Sequence, residues 1–306
     1  MEFGKVNSDQ VKDIDFTLPE DGRQTSKVLN DAQSDHKAEV FIGCAKWGRK
    51  EWVGLIYPPK TKEADFLDEY VKHFNAIELN AAYYQIPSIE SVRKWRKKAS
   101  DNAPVDFLFC PKFPKIISHD QRLTGSEQAT SEYLKAVAEF GDTLGACFLQ
   151  LSESFGVKNL PVLSDYLKFL PANPKVFVEL RHAQWFADPV VRQHVFELFT
   201  ATKKGAVITD VSGRRDLVHM EVTIPEVFIR FIGNGIAHKK SDFARIEQWG
   251  ERLRLWQKKG LQKIYFFLHQ HDELDTPVLA AHTIKVFNEQ LGLNIPAISL
   301  QPTLFD

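Results

Sequence analysis

The amino-acid sequence predicts an α/β protein built as a single (β/α)8 TIM barrel. Eight short, β-rich apolar runs recur between residues 40 and 300, and helical patterns fill most of the gaps between them. Strands that alternate with helices form a parallel sheet, and eight of them over about 265 residues close naturally into a barrel. A doubly wound open sheet is the alternative, but residues 43–48, after the first run, lack the Gly-rich phosphate-binding fingerprint of such folds.

Each element has its own support in the sequence. The predicted strands are the β-rich runs at residues 40–44, 76–80, 107–110, 146–150, 175–181, 206–210, 227–231 and 263–269. The predicted helices have apolar residues at helical spacing, at residues 64–74, 89–98, 132–142, 160–170, 189–200, 242–258 and 277–290. Ser88 is a suitable cap before the second helix, and Gly260 and Gly292 follow the last two. Only 21 residues separate the starts of strands six and seven, so the sixth helix should be short or missing.

The N-terminal region differs from the barrel in composition. Residues 1–38 contain 13 charged residues and only two aromatic ones, Phe3 and Phe16, and residues 18–22 have a loop signature. We therefore predict a polar N-terminal arm over residues 1–39, partly ordered at best and packed outside the barrel. The barrel domain should span residues 40–300, with a short C-terminal tail at 301–306.

Composition excludes several classes of protein. Lys and Arg number 39 against 40 for Asp and Glu, which argues against a surface coated in basic charge for duplex DNA or an anionic membrane. The longest apolar stretches, such as residues 264–268, are far below the roughly 18 residues of a membrane span. The first residues show no secretory signal, and Cys44, Cys110 and Cys147 match no metal or redox spacing. We expect a cytoplasmic protein with reduced, buried thiols.

Polar residues end seven of the eight predicted strands. Because side chains alternate between the two faces of a strand, one face stays apolar to its end while the other becomes polar. The polar residues are Glu78, Asn80, Lys112, Gln150, Glu179, Arg181, Asp210, Arg230 and His269. TIM barrels place their active sites at this C-terminal end, so these side chains predict a ligand site. The alternative is that they are paired ions that only cap the core.

Aromatic residues follow the same strand ends. Trp47 follows the first strand, Tyr83 the second and Trp185 the fifth. Aromatic walls suit sugars, nucleotide bases and other flat ligands, although ordinary packing between loops and helices would also account for them.

These residues together resemble a known family. The matching motifs are Phe41-Ile42-Gly43, Tyr57-Pro58-Pro59, the run from His73 to Asn80, Tyr83-Tyr84, Phe109-Cys110-Pro111-Lys112, His119, Val178-Glu179-Leu180-Arg181-His182, Trp185-Phe186, Thr209-Asp210, and Arg230-Phe231 with Gly233-Asn234-Gly235. From Val40 onward the chain is similar to the YecE-like proteins, domain of unknown function family 72. The resemblance implies a TIM barrel, but no established reaction, substrate or cofactor. Strand eight departs from the family, because His269 and the residues after it stand where an Asn-containing end is frequent.

The charges at the strand ends favour a metal-independent enzyme. Three carboxylates (Glu78, Glu179, Asp210) and three cations (Lys112, Arg181, Arg230) should converge in one mouth. The cations would repel a dication, so we expect no metal and no cofactor. Gln150 and Arg230 stand where the large glycosidase group with this barrel carries its acid and nucleophile, which argues against an ordinary glycosidase. Three cations suit a small anionic, sugar-like or nucleotide-like ligand.

We assign roles to these residues as a hypothesis of hydrolase- or lyase-type acid/base chemistry. Glu179 or Asp210 transfers the proton, Lys112 stabilises developing negative charge, and Glu78 is a further catalytic candidate. The expected substrate-binding residues are Arg181, Arg230, Asn80, Gln150, Trp47, Tyr83, Trp185 and His269.

The loop after strand seven, with residues 233–235 and 238–240, should contribute to phosphate binding, as in many TIM barrels. Three alternatives stay open: a nucleic-acid-binding or processing barrel, with or without a metal; a non-catalytic ligand-binding protein; and permanent ion pairs, Glu179–Arg230 and Asp210–Arg181, that merely seal the barrel. Oligomeric state is left open.

Overall fold

The structure is a computed structural model that describes residues 3–32, 37–271 and 273–301. Eight parallel strands form one sheet in the order β3-β2-β1-β8-β7-β6-β5-β4. The strands are β1 Glu39–Cys44, β2 Ala76–Leu79, β3 Leu108–Pro111, β4 Cys147–Gln150, β5 Val176–Glu179, β6 Gly205–Asp210, β7 Glu226–Gly233 and β8 Lys263–Gln270. The predicted (β/α)8 barrel is confirmed, and each strand lies where the sequence predicts it to within two residues at most boundaries.

The barrel closes unevenly around its circumference. Strands β7 and β8 are paired over eight positions, and β1 and β8 over six. Strands β3 and β4 meet through isolated bridges, Phe109 with Leu144 and Lys112 with Phe148. The N–H of Phe113 also donates to the carbonyl of Phe148 at 2.9 Å. The circle is therefore closed, with its thinnest seam between β3 and β4.

Helices cover the outside of the barrel. They are α1 Arg23–Ala32, α2 Phe66–Tyr70, α3 Ala81–Tyr84, α4 Ile89–Asn102, α5 Glu127–Ala138, α6 Leu160–Phe169, α7 Gln184–Ala187, α8 Pro189–Ala201, α9 Lys239–Lys258 and α10 Thr276–Leu291. As predicted, the Ser88 side chain caps α4 by accepting the N–H of Ser91. Between β6 and β7 the chain forms only one short 3-10 turn, Arg215–Leu217, which confirms the weakened sixth helix.

The N-terminal arm lies in the place that the missing sixth helix leaves open, between α8 and α9. On one side the Gln24 N–H donates to the Glu221 carboxylate at 2.9 Å, and the Thr25 hydroxyl donates to the Met220 carbonyl at 2.6 Å. On the other side Asp21 accepts from the Trp256 indole N–H at 2.9 Å. Leu29 of α1 is fully buried.

Helix α1 lies in the N-terminal arm, where the sequence predicted no helix. Its buried polar residues form hydrogen bonds with residues almost two hundred positions further along the chain. The local composition of the arm does not indicate these distant partners. Of the predicted tail at 301–306, the described part is Gln301, whose N–H donates to the Leu55 carbonyl at 2.9 Å. The remaining tail residues lie outside the described residues.

The barrel interior is filled by large apolar side chains below a polar upper layer. The apolar cluster contains Phe41, Ala76, Leu108, Cys110, Ala146, Phe148, Phe177, Val207, Ile224, Phe228, Tyr265 and Phe267. Cys44, Cys110 and Cys147 are buried free thiols. None of the helices in the described part of the chain combines the length and the apolar character that a membrane span would need.

Candidate functional site

A buried ion network forms the top layer of the barrel interior, with Arg230 at its centre. From β7, the Arg230 guanidinium reaches Glu78 on β2, with Nε to Oε2 at 2.8 Å and Nη2 to Oε1 at 3.0 Å. Its Nη1 lies 3.2 and 3.1 Å from the two oxygens of Glu179 on β5. All three side chains are at most 1% exposed. One guanidinium therefore bridges two carboxylates across the barrel axis.

Further donors complete the coordination of the two carboxylates. Glu179 accepts from the Gln150 amide at 2.7 Å and from the Thr209 hydroxyl at 3.1 Å. Glu78 accepts from the Asn80 amide at 2.9 Å, and His269 Nε2 lies 3.0 Å from its second oxygen. Because a carboxylate only accepts hydrogen bonds, this assigns a hydrogen to Nε2 of that imidazole.

Both carboxyl groups are held in their charged form. Burial alone would raise the pKa of Glu179, but the positive charges of Arg181 and Arg230 outweigh it and bring that pKa to about 2. Arg230 and His269 likewise hold the pKa of Glu78 well below its usual value, against the effect of burial. Neither group changes its protonation near neutral pH, so both are fixed anions.

Lys112 stands between this network and the open mouth. Its Nζ donates to the Gln150 Oε1 at 2.7 Å and lies 4.0 Å from the centre of the Tyr83 ring. The residue is 7% exposed. Burial and the neighbouring positive charge of Arg230 lower the pKa of Lys112 to about 7, although Glu179 and Glu78 oppose this shift. Lys112 is thus able to gain or lose a proton at physiological pH.

Arg181, Tyr83 and His119 line the mouth next to Lys112. The Arg181 Nε donates to Glu179 Oε1 at 3.1 Å, and the Phe3 ring of the arm packs 4.1 Å from its guanidinium carbon. His119 packs edge-on against Tyr83 with ring centres 5.3 Å apart. Burial, together with the charges of Lys112 and Arg181, lowers the pKa of His119 to about 4, so its imidazole is neutral at pH 7.

A single turn of π-helix, Ile116–Asp120, presents His119 to the mouth. Such turns are rare and recur at functional sites. His119 is not among the site residues that the sequence predicts, although it is one of the residues that carry the family resemblance. Thr209 was also missed, because it precedes the more conspicuous Asp210.

Asp210 lies outside the mouth, contrary to the prediction. Its carboxylate faces the helical ring, where it accepts from the Trp249 indole at 2.8 Å and pairs with Arg245 at 2.8 Å and with Arg215. The side of β6 that faces the barrel axis carries Thr209, whose hydroxyl contacts Glu179. The expected pair between Asp210 and Arg181 is therefore wrong, whereas the pair between Glu179 and Arg230 is present.

The three predicted aromatic residues have different surroundings. Tyr83 packs on Lys112 at the mouth. Trp47 lines a cavity of about 210 Å³ beside the ends of β1 and β2, together with Glu78, Asn80 and Tyr84. Trp185 is fully buried, and its indole N–H donates to the Phe155 carbonyl at 2.7 Å. Trp185 therefore packs in the core beneath the loops. The prediction that it flanks the mouth is wrong.

The loop after β7 gives no support to phosphate binding. The backbone N–H of Asn234 donates to the Asp242 carboxylate at 2.7 Å, and the Asn234 amide donates to its other oxygen at 2.9 Å. The backbone and amide N–H groups of Asn234 are thus already bonded to Asp242, which also pairs with the buried Arg245 at 3.0 Å.

Metal-binding side chains are not grouped in the parts of the chain that the structure describes. Across residues 3–32, 37–271 and 273–301, no three His, Cys, Asp or Glu side chains come together in a way that could hold a metal ion. Between Glu78 and Glu179 the space is filled by the Arg230 guanidinium.

The family follows from comparison with known proteins. A family model described as "Protein of unknown function DUF72" matches residues 41–301. The chain belongs to the DUF72 family. The UPF0759 protein YecE of Escherichia coli (strain K12) is 29% identical to it over 283 residues, which cover 87% of this chain and 97% of that protein. The UPF0759 protein YunF of Bacillus subtilis (strain 168) is 26% identical over 162 residues, 50% of this chain and 55% of that protein.

Solved structures of DUF72 family proteins share the fold. A crystal structure from Enterococcus faecalis V583 superposes with a TM-score of 0.63 at 20% identity, covering 88% of this chain and 100% of that one. A second, from Thermotoga maritima MSB8, gives a TM-score of 0.60 at 20% identity, covering 81% and 99%. The description of the DUF72 family names no reaction.

Proposed function

We propose that this protein is a metal-independent enzyme that acts on a small anionic, sugar-like or nucleotide-like substrate at the C-terminal mouth of the barrel, with Lys112 as its reacting group. The observation that carries the proposal is the position of Lys112 between a buried ion network and the open mouth, with its pKa brought to about 7. Proton transfer is most effective when the pKa of the catalytic group lies near the working pH.

This proposal changes the roles that the sequence suggested for the carboxylates. Glu179 was a candidate for proton transfer, but its pKa of about 2 and its contacts with Arg230, Arg181 and Gln150 make it a fixed anion. Glu78 has the same role on the opposite side of Arg230. Both carboxylates hold the neighbouring Arg and amide side chains in position. The proton transfer is assigned to Lys112 instead.

Arg181 is the group proposed to hold the negative charge of the substrate. One of its nitrogens is bonded to Glu179, and within the described residues its two terminal nitrogens donate to no protein acceptor. A guanidinium can bind a carboxylate or phosphate through two parallel hydrogen bonds. The uncharged amine of Lys112 would accept a proton from the bound substrate and return it later in the cycle. This is acid/base chemistry of the lyase or isomerase type.

The test is a screen for turnover by NMR. Sugar acids, sugar phosphates and mononucleotides are incubated with the protein in D2O, with and without EDTA, and followed for product or for deuterium incorporation. We expect turnover of at least one anionic compound, unaffected by EDTA, and a loss of about 100-fold or more in Lys112→Met. Lys94→Met, at an exposed position on α4, is the matched control and should keep full activity.

Two results would contradict the proposal. Undiminished turnover in a folded Lys112→Met variant would remove Lys112 from the reaction. Salt-dependent binding of an oligonucleotide, without turnover of any small compound, would instead support a nucleic-acid-binding barrel.

A further inference from the structure

The surroundings of Lys112 match an uncharged amine better than an ammonium. Within the described residues, its Nζ has one hydrogen-bond acceptor, Gln150 Oε1 at 2.7 Å, and one close aromatic face, that of Tyr83 at 4.0 Å; the centre of the Phe148 ring lies farther away, at 5.9 Å. An ammonium has three N–H donors to satisfy, whereas a neutral amine has two. The amide oxygen and the ring face account for those two donors. The fourth tetrahedral position of the nitrogen then carries a lone pair that meets no hydrogen-bond donor in the part of the chain that the structure describes.

The two carboxylates and the two guanidinium groups next to Lys112 balance one another without it. Glu78 and Glu179 supply two negative charges, and Arg230 and Arg181 supply two positive ones. His119, on the side of the mouth, is neutral at pH 7. A protonated Lys112 would therefore add a further positive charge to a buried cluster whose carboxylates are already paired with guanidinium groups, which is costly in a medium of low dielectric constant.

Arg181 completes the site for a substrate that carries an anion. The Phe3 ring covers one face of its guanidinium plane, and the Nε is occupied by Glu179. The terminal nitrogens remain for a carboxylate or phosphate. Arg181 donates to one oxygen of Glu179, the Gln150 amide donates to the other, and Lys112 donates to the oxygen of that same amide, so a short chain of contacts joins the anion-binding group to the amine.

We propose that the Lys112 amine forms a Schiff base with the carbonyl carbon of a small aldehyde or ketone whose carboxylate or phosphate is bound by Arg181. An open-chain sugar acid or a 2-oxo acid belongs to this substrate class. The inference rests on the proposed function, which makes the same amine the reacting group.

The covalent step is balanced within the site and the substrate. The nitrogen lone pair attacks the carbonyl carbon, and the π electrons of the C=O bond move to the oxygen. The two hydrogens of the amine then leave with that oxygen as water, and the carbon–nitrogen double bond forms. No electron is gained or lost, so no oxidant or reductant is needed. Buried lysines of lowered basicity, placed next to another cation, are the usual nucleophiles of this reaction.

The experiment compares two aldehydes with two carbon atoms each in reductive amination of the whole protein. Glyoxylate carries a carboxylate and glycolaldehyde does not. Each is incubated with the protein and cyanoborohydride at pH 7.5, and the modified lysines are identified and timed by peptide mass spectrometry. We expect glyoxylate to modify Lys112 at least about tenfold faster than the exposed Lys94, because far more of the Lys112 amine is unprotonated at this pH.

Two further results should accompany that selectivity. The rate at Lys112 should level off above about pH 8, where an amine with a pKa of about 7 is almost fully unprotonated. The preference of Lys112 for glyoxylate over glycolaldehyde should disappear in Arg181→Gln, which retains a side-chain donor that can reach Glu179. A preference unchanged in that folded variant would overturn the role of Arg181 in the proposal.

The outcomes separate this inference from the proposed function. If Lys112 reacts no faster than Lys94 while Lys112→Met still abolishes turnover, the Schiff base is overturned and the acid/base function stands. If Lys112 is modified selectively while Lys112→Met keeps full turnover, both are overturned, since the lysine would be reactive without taking part in the reaction.

Discussion

Arg230 fills the space between two carboxylates that would otherwise repel each other. Its guanidinium contacts Glu78 and Glu179 on opposite sides, with all three side chains at most 1% exposed. A charge buried to this extent is stable only when it is paired and its hydrogen bonds are complete. The network therefore works as a unit, and the removal of one member leaves the others buried without compensation.

The first prediction concerns Arg230 itself. Arg230→Met should lower the free energy of unfolding by roughly 3–5 kcal/mol, because it leaves two buried carboxylates facing each other. Unfolding in urea measures this change. Arg93→Met is the control, since Arg93 pairs with Glu139 on the surface with 65% of its side chain exposed, and should cost below about 1 kcal/mol.

A second substitution shows whether the cost comes from unpaired charge. Adding Glu78→Gln to Arg230→Met should restore part of the lost stability, because it removes one of the two unpaired carboxylates. Equal losses in Arg230→Met and Arg93→Met would show that the buried ion network does not stabilise the fold.

The second prediction is the pH dependence that Lys112 adds to stability. Its pKa is about 7 in the folded protein against 10.5 in its ordinary state, so between these values the unfolded chain binds more protons than the folded one. Stability should therefore rise with pH in this window, by at most about 1.4 kcal/mol per pH unit, and Lys112→Met should lack that rise. Urea unfolding at pH 7, 8 and 9 measures the difference between the two proteins. Parallel pH profiles would mean that Lys112 titrates as an ordinary lysine.

At the scale of single elements, β6 shows the limit of reasoning from alternation. The pattern correctly places Asp210 and Ile208 on one side of the strand, but Val207 and Ile208 are both apolar, so it does not say which side faces the axis. That choice depends on Arg245 and Trp249 of α9, which bind the Asp210 carboxylate from 35 and 39 positions later. The orientation of Lys112, directly after β3, was easier to predict, because its side-chain partner Gln150 lies inside the barrel.

Helix α1 gives the third prediction, because it closes the ring of helices although it precedes the barrel in the sequence. Leu29→Ala should destabilise the whole protein by about 2–5 kcal/mol, since the side chain is fully buried against the barrel. Lys27→Ala, on the exposed side of the same helix, should change stability little. Thermal unfolding of both variants provides the measurement. A loss in Leu29→Ala no greater than in Lys27→Ala would show that the arm is dispensable for folding.

At the scale of the whole molecule, the fold could be predicted best. The βα period and the eight apolar runs depend on local patterns that repeat along the chain, so the barrel and its short sixth connection follow from them. The position of the arm, the buried state of Trp185 and the orientation of Asp210 depend on distant partners, among them Glu221, Phe155 and Arg245 respectively. A sequence pattern carries no signal for such pairings.

The fourth prediction is that the barrel opens first at the seam between β3 and β4. Strands β7 and β8 share eight paired positions, whereas β3 and β4 meet through isolated bridges such as Lys112 with Phe148. Local opening is easiest where fewest backbone hydrogen bonds and contacts must break. Amide hydrogen exchange followed by mass spectrometry should show faster exchange at residues 108–113 than at residues 227–232. Equal protection of the two segments would contradict this order.

The arm that replaces the sixth helix also sets a constraint on biosynthesis. Leu18, Asp21, Gln24 and Thr25 bond to residues between 195 and 238 positions further along the chain. A ribosome delivers the N-terminal residues first, but their docking surface is incomplete until α9 has emerged. The arm is therefore synthesised before the barrel but reaches its place only after α9 has emerged, and the groove beside β6 is open to other contacts throughout the translation of the residues between them.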